Sequence, residues 1–296
     1  MRKNVEDPTD LSIPIEFDVQ GAKLSTLTQA IAYRGIKDAK KTPTRNTTRG
    51  NLQKARDAIH EYTGSLETDE SIWLSIRKHE IQTKIRQFLY KTMHGTQKIG
   101  KFWASIATYA HREHCRECGV TETMEHILTR CREPPVRMIW SLVKQAWPRE
   151  HLEWPRISLG LILGCGCIKS DDNERREHPN ENGPRQHGKK GAARLAMILI
   201  SEAAHLIWVL RCERAIHGKQ HSDNEIGMRW KNIINVRLTS DKIIATKIKR
   251  ENKFTNLVKS TWRPLLIKDG PLPHNWINNH EVLVGRRPRY APIEED

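Results

Sequence analysis

Cys115-Arg116-Glu117-Cys118-Gly119-Val120-Thr121-Glu122-Thr123-Met124-Glu125-His126-Ile127-Leu128-Thr129-Arg130-Cys131 is the stretch around which the rest of the chain is read. Its pattern, C-x2-C-x7-H-x4-C, offers three thiolates and one imidazole. A C-x2-C pair can grip one ion from a tight turn, and Gly119 suits the sharp backbone exit that follows. Thr121 or Thr123 can cap a short helix that presents His126 and delivers Cys131 near its end. Four such ligands fill a tetrahedron and leave no position for water, which is the arrangement of structural rather than catalytic zinc. A thiolate-rich set prefers Zn2+ to magnesium or calcium. So short a loop also draws most of its folding free energy from its ion. The bland alternative is three reduced cysteines placed there by chance, and the pairing of C-x2-C with H-x4-C makes it the poorer account.

His111, Arg112, His114, Arg116, Arg130, Arg132 and Arg137 surround these ligands. A divalent ion held by three thiolates carries about one negative charge, which is less than this collar supplies. Arg112, Arg116, Arg130, Arg132 and Arg137 are therefore candidate phosphate contacts. Alternatively, Glu117, Glu122, Glu125 and Glu133 pair with much of the collar and nothing is left over.

Working outward, apolar residues recur at helical spacing on both sides. Residues 1–50 are expected to be largely extended, because Pro8, Pro14 and Pro43 interrupt them and Lys37 to Arg49 is basic and Thr-rich. One short helix is expected around Leu24, Leu27, Ala30 and Ile31. Residues 51–168 read as a helical region with the zinc knuckle at 111–133. Leu52, Ala55, Ile59 and Tyr62 share a face that stops at Gly64. Thr68 or Asp69 then caps a single long helix with Ile72, Trp73, Ile76, Ile81, Ile85, Phe88 and Leu89 on its stripe and Gly95 at its end. Its opposite face carries Arg77, Lys78, Lys84, Arg86 and Lys91. Val136, Ile139, Trp140 and Val143 form a further helix that stops near Trp147-Pro148, and the Gly-rich run Ile157 to Ile168 reads as a short strand or a buried loop.

Residues 169–190 have almost nothing to bury and read as a disordered linker and domain boundary. Residues 191–263 are expected to hold C-terminal helices: Ala192 to His217 with a seam of Leu195, Leu199, Ala203, Leu206 and Leu210, then Asn224 to about Arg237, then Asp241 to Ser260. Residues 264–296 form an expected extended tail. The fold class is mainly α, helical segments around a small CCHC zinc knuckle.

The 296 residues contain 50 Lys plus Arg against 35 Asp plus Glu, a formal net charge of +15. Such an excess favours a polyanionic partner, RNA or DNA before others. No run reaches the ~18–20 uninterrupted apolar residues of a membrane span, so no membrane partner is expected. The N-terminus lacks the pattern of a secretory signal, so the expected location is nucleus or cytoplasm, with the cysteines reduced. Cys165-Gly166-Cys167 is a weak metal candidate and reads better as buried apolar loop. Cys212 and the tryptophans Trp73, Trp103, Trp140, Trp208, Trp230 and Trp262 read as packing. There is no G-x-S-x-G, P-loop or H-E-x-x-H motif, and the carboxylates lie on helix surfaces rather than converging as a two-metal nuclease requires. No enzyme is expected.

Trp73-Leu-Ser-Ile-Arg-Lys-His-Glu-Ile81, then Ile85-Arg-Gln-Phe-Leu-Tyr-Lys-Thr-Met-His-Gly95, leading into the Cys115–Cys131 pattern, resembles a known region. It is the region after the ribonuclease H domain in polyproteins of fungal non-LTR (LINE-like) retrotransposons, which carry a reverse transcriptase. Gly21 to Gly35 also resembles the stretch that joins that nuclease to the zinc region; the likeness covers roughly residues 10–145, and the later helices fit less specifically. The resemblance implies that the knuckle binds nucleic acid while the polymerase works. It marks Cys115, Cys118, His126 and Cys131 alone as ligands. It places the catalytic domains upstream, so the chain is expected to be a non-catalytic piece of such an element. Two other readings stay open: a helical protein-interaction module with purely structural zinc, and a ribonuclease H-type protein by family kinship only.

Overall fold

The computed structural model describes residues 27–40, 44–148, 153–169, 184–248, 253–266, 272–273, 275–279 and 281–284, with backbone alone for 184–189. These residues are mainly helical, and among them the only β pairing is an isolated bridge between His114 and Thr121. The chain divides into two units, 1–45 and 46–296. The first holds α1 (Gln29–Ala39), capped by Thr28, whose Oγ1 accepts from the Ile31 N–H at 3.3 Å; it buries no residue. Leu24, expected on this helix, lies outside the described residues. The segment expected to be largely extended thus contains α1 and also the first turn of α2.

The second unit is built from α2 (Asn46–Thr63), α3 (Asp69–Ile76), α4 (Thr83–His94), α5 (Lys101–Ala104), α6 (Pro134–Ala146), α7 (Leu159–Gly164), α8 (Pro184–His217), α9 (Asp223–Lys247) and α10 (Lys253–Leu266). Helix α8 runs through its middle and touches α4, α6, α7, α9 and α10. The expected seam Leu195, Leu199, Ala203, Leu206 and Leu210 is wholly buried. From Lys190 to His217 this helix is long and apolar enough to cross a membrane, yet 78% of its most apolar window is buried in the protein, as befits a core helix. The proposed 169–190 linker lies mostly outside the described residues. From Pro184 the backbone is helical, and the helices beyond pack against those before it.

Helix ends follow local chemistry. Gly64 and Gly95 adopt positive φ where α2 and α4 stop, as their positions in the sequence foretold, and Gly218 does the same after α8. Thr68 caps α3, accepting from the Ser71 N–H at 3.1 Å. Three expectations are corrected. The single helix expected from Thr68 to Gly95 is two, α3 and α4, joined by a turn at residues 77–82. On one continuous helix Ile81 would sit about 140° around from Ile76, and the turn lets both be buried, at 0% and 3% exposure. The run Ile157 to Ile168 is neither strand nor loop but α7 followed by a 3-10 turn, Cys165–Cys167. Gly160 and Gly164, four apart, form the face of α7 that meets α2: a Cβ on Gly160 would lie 2.0 Å from the Lys54 carbonyl oxygen. Finally, the helix expected to break before Asp241 continues as α9 to Lys247, and α10 extends past Pro264 to Leu266.

Asp241 does not cap a helix because it is buried. The Arg194 guanidinium donates to both its oxygens, at 2.7 and 2.9 Å, and Trp262 Nε1 donates at 2.6 Å. Elsewhere in the core Arg237 lies 3.5 Å from Glu202 and donates to the Glu80 carbonyl at 2.6 Å. Lys242 donates to the carbonyls of Asn279 and Val282, tying in a turn at Trp276–Asn278 within the expected tail. Such buried cations are tolerated only when their partners are in place.

Candidate metal centre

The C-x2-C segment folds back on itself before any ligand is considered. Glu122 N–H donates to Glu113 O and Cys115 N–H to Val120 O, both at 2.9 Å, flanking the His114–Thr121 bridge. Gly119 N–H donates to Cys115 O at 2.8 Å, and Gly119 sits at φ +68°, a conformation that side chains with a Cβ adopt rarely. Of the two proposed caps it is Thr123 that serves, its Oγ1 accepting from the His126 N–H at 3.0 Å, while Thr121 belongs to the bridge. The helix it starts is a single wide turn, His126–Arg130, closed by Cys131 N–H to His126 O at 2.8 Å, an i→i+5 bond. That bond ties Cys131 directly back to His126.

Cys115, Cys118, His126 and Cys131 are brought together: one ligand atom from each lies within 4.8 Å of the others, a set that can hold a metal ion. All four belong to one short stretch, as the spacing foretold. Cys131 Sγ is 3.6 Å from Cys115 Sγ and 3.9 Å from Cys118 Sγ, and no disulfide joins them. With metal–sulfur bonds near 2.3 Å, the edge of a tetrahedron is about 3.8 Å. His126 Nε2 is buried and has no hydrogen-bond partner among the described residues, a costly state for a polar atom unless something else meets it. Burial pushes the His126 imidazole below its usual range, favouring the neutral ring that a ligand must be. Burial also pushes the Cys131 thiol well up, and the adjacent Cys115 and Cys118 sulfurs add to it. A cation among the three sulfurs reverses that tendency and makes thiolates the stable form. The Arg132 N–H donates to Cys118 Sγ at 3.3 Å, the kind of outer contact that steadies a ligating sulfur.

The loop is fastened to the body at several points. Trp140 Nε1 of α6 donates to Leu128 O at 2.8 Å, and Ile127 and Leu128 are buried. Glu122 pairs with Arg211, Nε to Oε1 at 3.3 Å, with both side chains buried; Glu133 pairs with Arg214. Glu125 accepts from Lys54 at 3.0 Å and from Arg130 at 2.5 Å, which together hold its carboxyl below the usual range, the Lys54 bond most of all. Glu122, Glu125 and Glu133 are thus taken largely by cations from α2 and α8. Sequence reading missed Arg211 and Arg214. The available signal was a pair of cations continuing an apolar helix face, where a charge needs a buried partner.

The expected arginine collar divides accordingly. Arg130 is bound to Glu125. Arg112 lies over the rings of Tyr109 and Trp103, at 4.5 and 5.4 Å. Arg116, Arg132 and Arg137 are exposed and form no ion pair among the described residues. Cys165 and Cys167 are buried against α3 and belong to no metal-holding group among the described residues, burial pushing the Cys165 thiol up to about 12. Cys212 is half-buried. Trp230 and Trp262 are core, Trp73, Trp140 and Trp208 pack against it half-buried, and Trp103 stands outside it.

No protein-family model matches the chain, and neither does any curated protein or any solved structure.

Proposed function

We propose that this chain is a nucleic-acid-binding module whose knuckle is held by one structural Zn2+ and which does no chemistry of its own. The observation that carries the reading is the division of charge around the ligand set. Glu122, Glu125 and Glu133 of the knuckle are occupied from α2 and α8, while Arg116, Arg132 and Arg137 face solvent without an ion pair among the described residues. Those three cations, with a net charge of +15 behind them, suit phosphate contacts. Zinc is the metal proposed because three thiolates and one imidazole at tetrahedral separations match its preferences, and a full ligand set gives it a structural role. When bound, the ion would supply rigidity and hold the sulfurs as thiolates.

The resemblance to the region after the ribonuclease H domain of LINE-like retrotransposon polyproteins points the same way, and a nuclear or cytoplasmic location goes with it. Against a nuclease stands the pairing of the buried carboxylates among the described residues: Glu122, Glu202 and Asp241 each face an arginine, and Glu67 faces Lys169. One observation favours a second reading, a helical interaction module with purely structural zinc, because the knuckle is clamped inward onto α8 by two ion pairs.

The test is metal analysis of the purified chain together with binding to labelled RNA and DNA across a salt series. One zinc per chain, lost in Cys131→Ala and His126→Ala, with affinity that falls steeply with salt, is the expected result. A chain with one zinc that ignores both nucleic acids at low salt supports the second reading instead. A fully stable chain free of metal refutes both.

A further inference from the structure

Residues 98–112 form a projection whose two helical turns, α5 and the 3-10 helix Ala107–Arg112, pack on each other and bury no residue. Its base is seated on the knuckle: a Cβ on Gly100 would lie 2.2 Å from the Glu122 carbonyl oxygen. Its rings are interlocked. Phe102 and Trp103 meet edge to face at 5.1 Å, and Trp103 and Tyr109 at 5.6 Å. Trp103 Nε1 donates to Lys98 O at 2.8 Å, which anchors the middle ring. The outer two are 43% and 40% exposed. Lys98 Nζ lies 5.5 Å from the Phe102 centroid, and the Arg112 guanidinium lies over Tyr109.

Rings held in order at the surface, adding nothing to the core, need an occupant of matching shape. The charge pattern says which. From Ile81 to Arg112 there is no Asp or Glu, while Lys84, Arg86, Lys91, Lys98, Lys101 and Arg112 all fall in that interval. Beside the rings, His111, Arg112, His114 and Arg116 line a recess against the end of α8, where its one carboxylate, Glu122, is taken by Arg211; Arg112 Nε is buried with no hydrogen-bond partner among the described residues. The occupant is therefore flat, stackable and anionic. Unpaired bases on a phosphate backbone meet all three conditions, whereas a duplex hides its base faces.

The geometry points to a single-strand platform: Phe102 and Tyr109 stack unpaired bases, Trp103 fixes their relative orientation, and Lys98 and Arg112 take the neighbouring phosphates. This rests on the nucleic-acid reading above and adds the strandedness of the ligand and the residues that sense it.

The test uses the full zinc-loaded chain, with Phe102→Ala/Tyr109→Ala and the conservative Phe102→Tyr/Tyr109→Phe as variants. Probes are labelled oligo(dT), oligo(rU), a DNA duplex of equal length, and phosphatidylcholine–phosphatidylserine vesicles. Loss of one stacked base weakens binding by roughly 5- to 150-fold. The alanine variant should therefore bind both single strands at least about tenfold more weakly, with duplex affinity and thermal midpoint unchanged and the conservative variant at parental affinity. A larger effect on one oligonucleotide identifies the preferred sugar. Single-strand and duplex binding that survive both substitutions overturn the platform and leave the proposed function standing. A parent that binds neither nucleic acid overturns the proposed function itself. Vesicle binding that depends on the two rings, without single-strand binding, overturns the platform in favour of a lipid surface.

Discussion

Replacing Glu122 by leucine strands the Arg211 guanidinium in the core. The two side chains are 5% and 7% exposed, and one belongs to the knuckle while the other projects from α8. Removing one partner of such a pair typically costs about 3–5 kcal/mol, because the remaining charge is left buried and unpaired. Removing both together, with apolar residues of similar volume, is often close to neutral. Glu122→Leu and Arg211→Met should therefore each cost about 3–5 kcal/mol in urea denaturation at pH 7 with zinc in fixed excess. The double variant should return to within about 1 kcal/mol of the parent, a coupling of several kcal/mol. The two single variants should also pass their metal to a chelator faster than the parent, since the segment Thr121–Thr123 loses its anchor beside the ligands. Asp241→Asn serves as control: it breaks the Arg194 pair in another part of the core and should lower stability without hastening metal transfer. Single costs that simply add in the double variant would refute the clamp. So would metal transfer indifferent to Glu122.

Other consequences are open to direct measurement. Gly160→Ala pushes a methyl against the Lys54 carbonyl and should lower the urea midpoint by an amount equivalent to about 2–3 kcal/mol. Gly50→Ala, in the interior of α2 with nothing within 4 Å, should raise stability by about 0.5–1 kcal/mol. His205 is held down to about 4 by burial first and by Lys84 second. Below the ordinary histidine range the unfolded chain takes up a proton that the folded one refuses. Stability should fall as pH drops from about 6.5 toward 4, by about 2 kcal/mol at pH 5, and His205→Gln should remove that increment from the pH profile of unfolding. Changing Arg116, Arg132 and Arg137 together to glutamine should reduce the salt slope of duplex binding by about two to three, each lost phosphate contact removing about 0.9. An unchanged slope would show that these arginines face no phosphate.

The ligand set was readable because all four donors lie close together in the chain. A C-x2-C turn and a capped helical turn are local structures, decided by hydrogen bonds such as Gly119 N–H to Cys115 O and His126 N–H to Thr123 Oγ1. Helix ends at Gly64 and Gly95 were readable for the same reason. Misreadings arose where a distant partner overrode the local signal. Asp241 resembled a helix start but is consumed by Arg194 and Trp262. The glycines of α7 resembled a strand or loop, yet serve to bring α7 against α2. The alternative in which the knuckle's carboxylates pair with its own arginines holds only at Arg130; Glu122, Glu125 and Glu133 pair with Arg211, Lys54 and Arg214.

From its sequence alone this protein declared a mainly helical chain, a strong positive charge and four clustered metal-ligand side chains, since composition, periodicity and short-range spacing carry that information. Which cations neutralise the knuckle, which are left facing solvent, and where the exposed rings stand relative to both were decided by tertiary packing. Charges and rings act across space over a few ångströms, and residues 89 positions apart, such as Glu122 and Arg211, meet at that range only once α8 is in place.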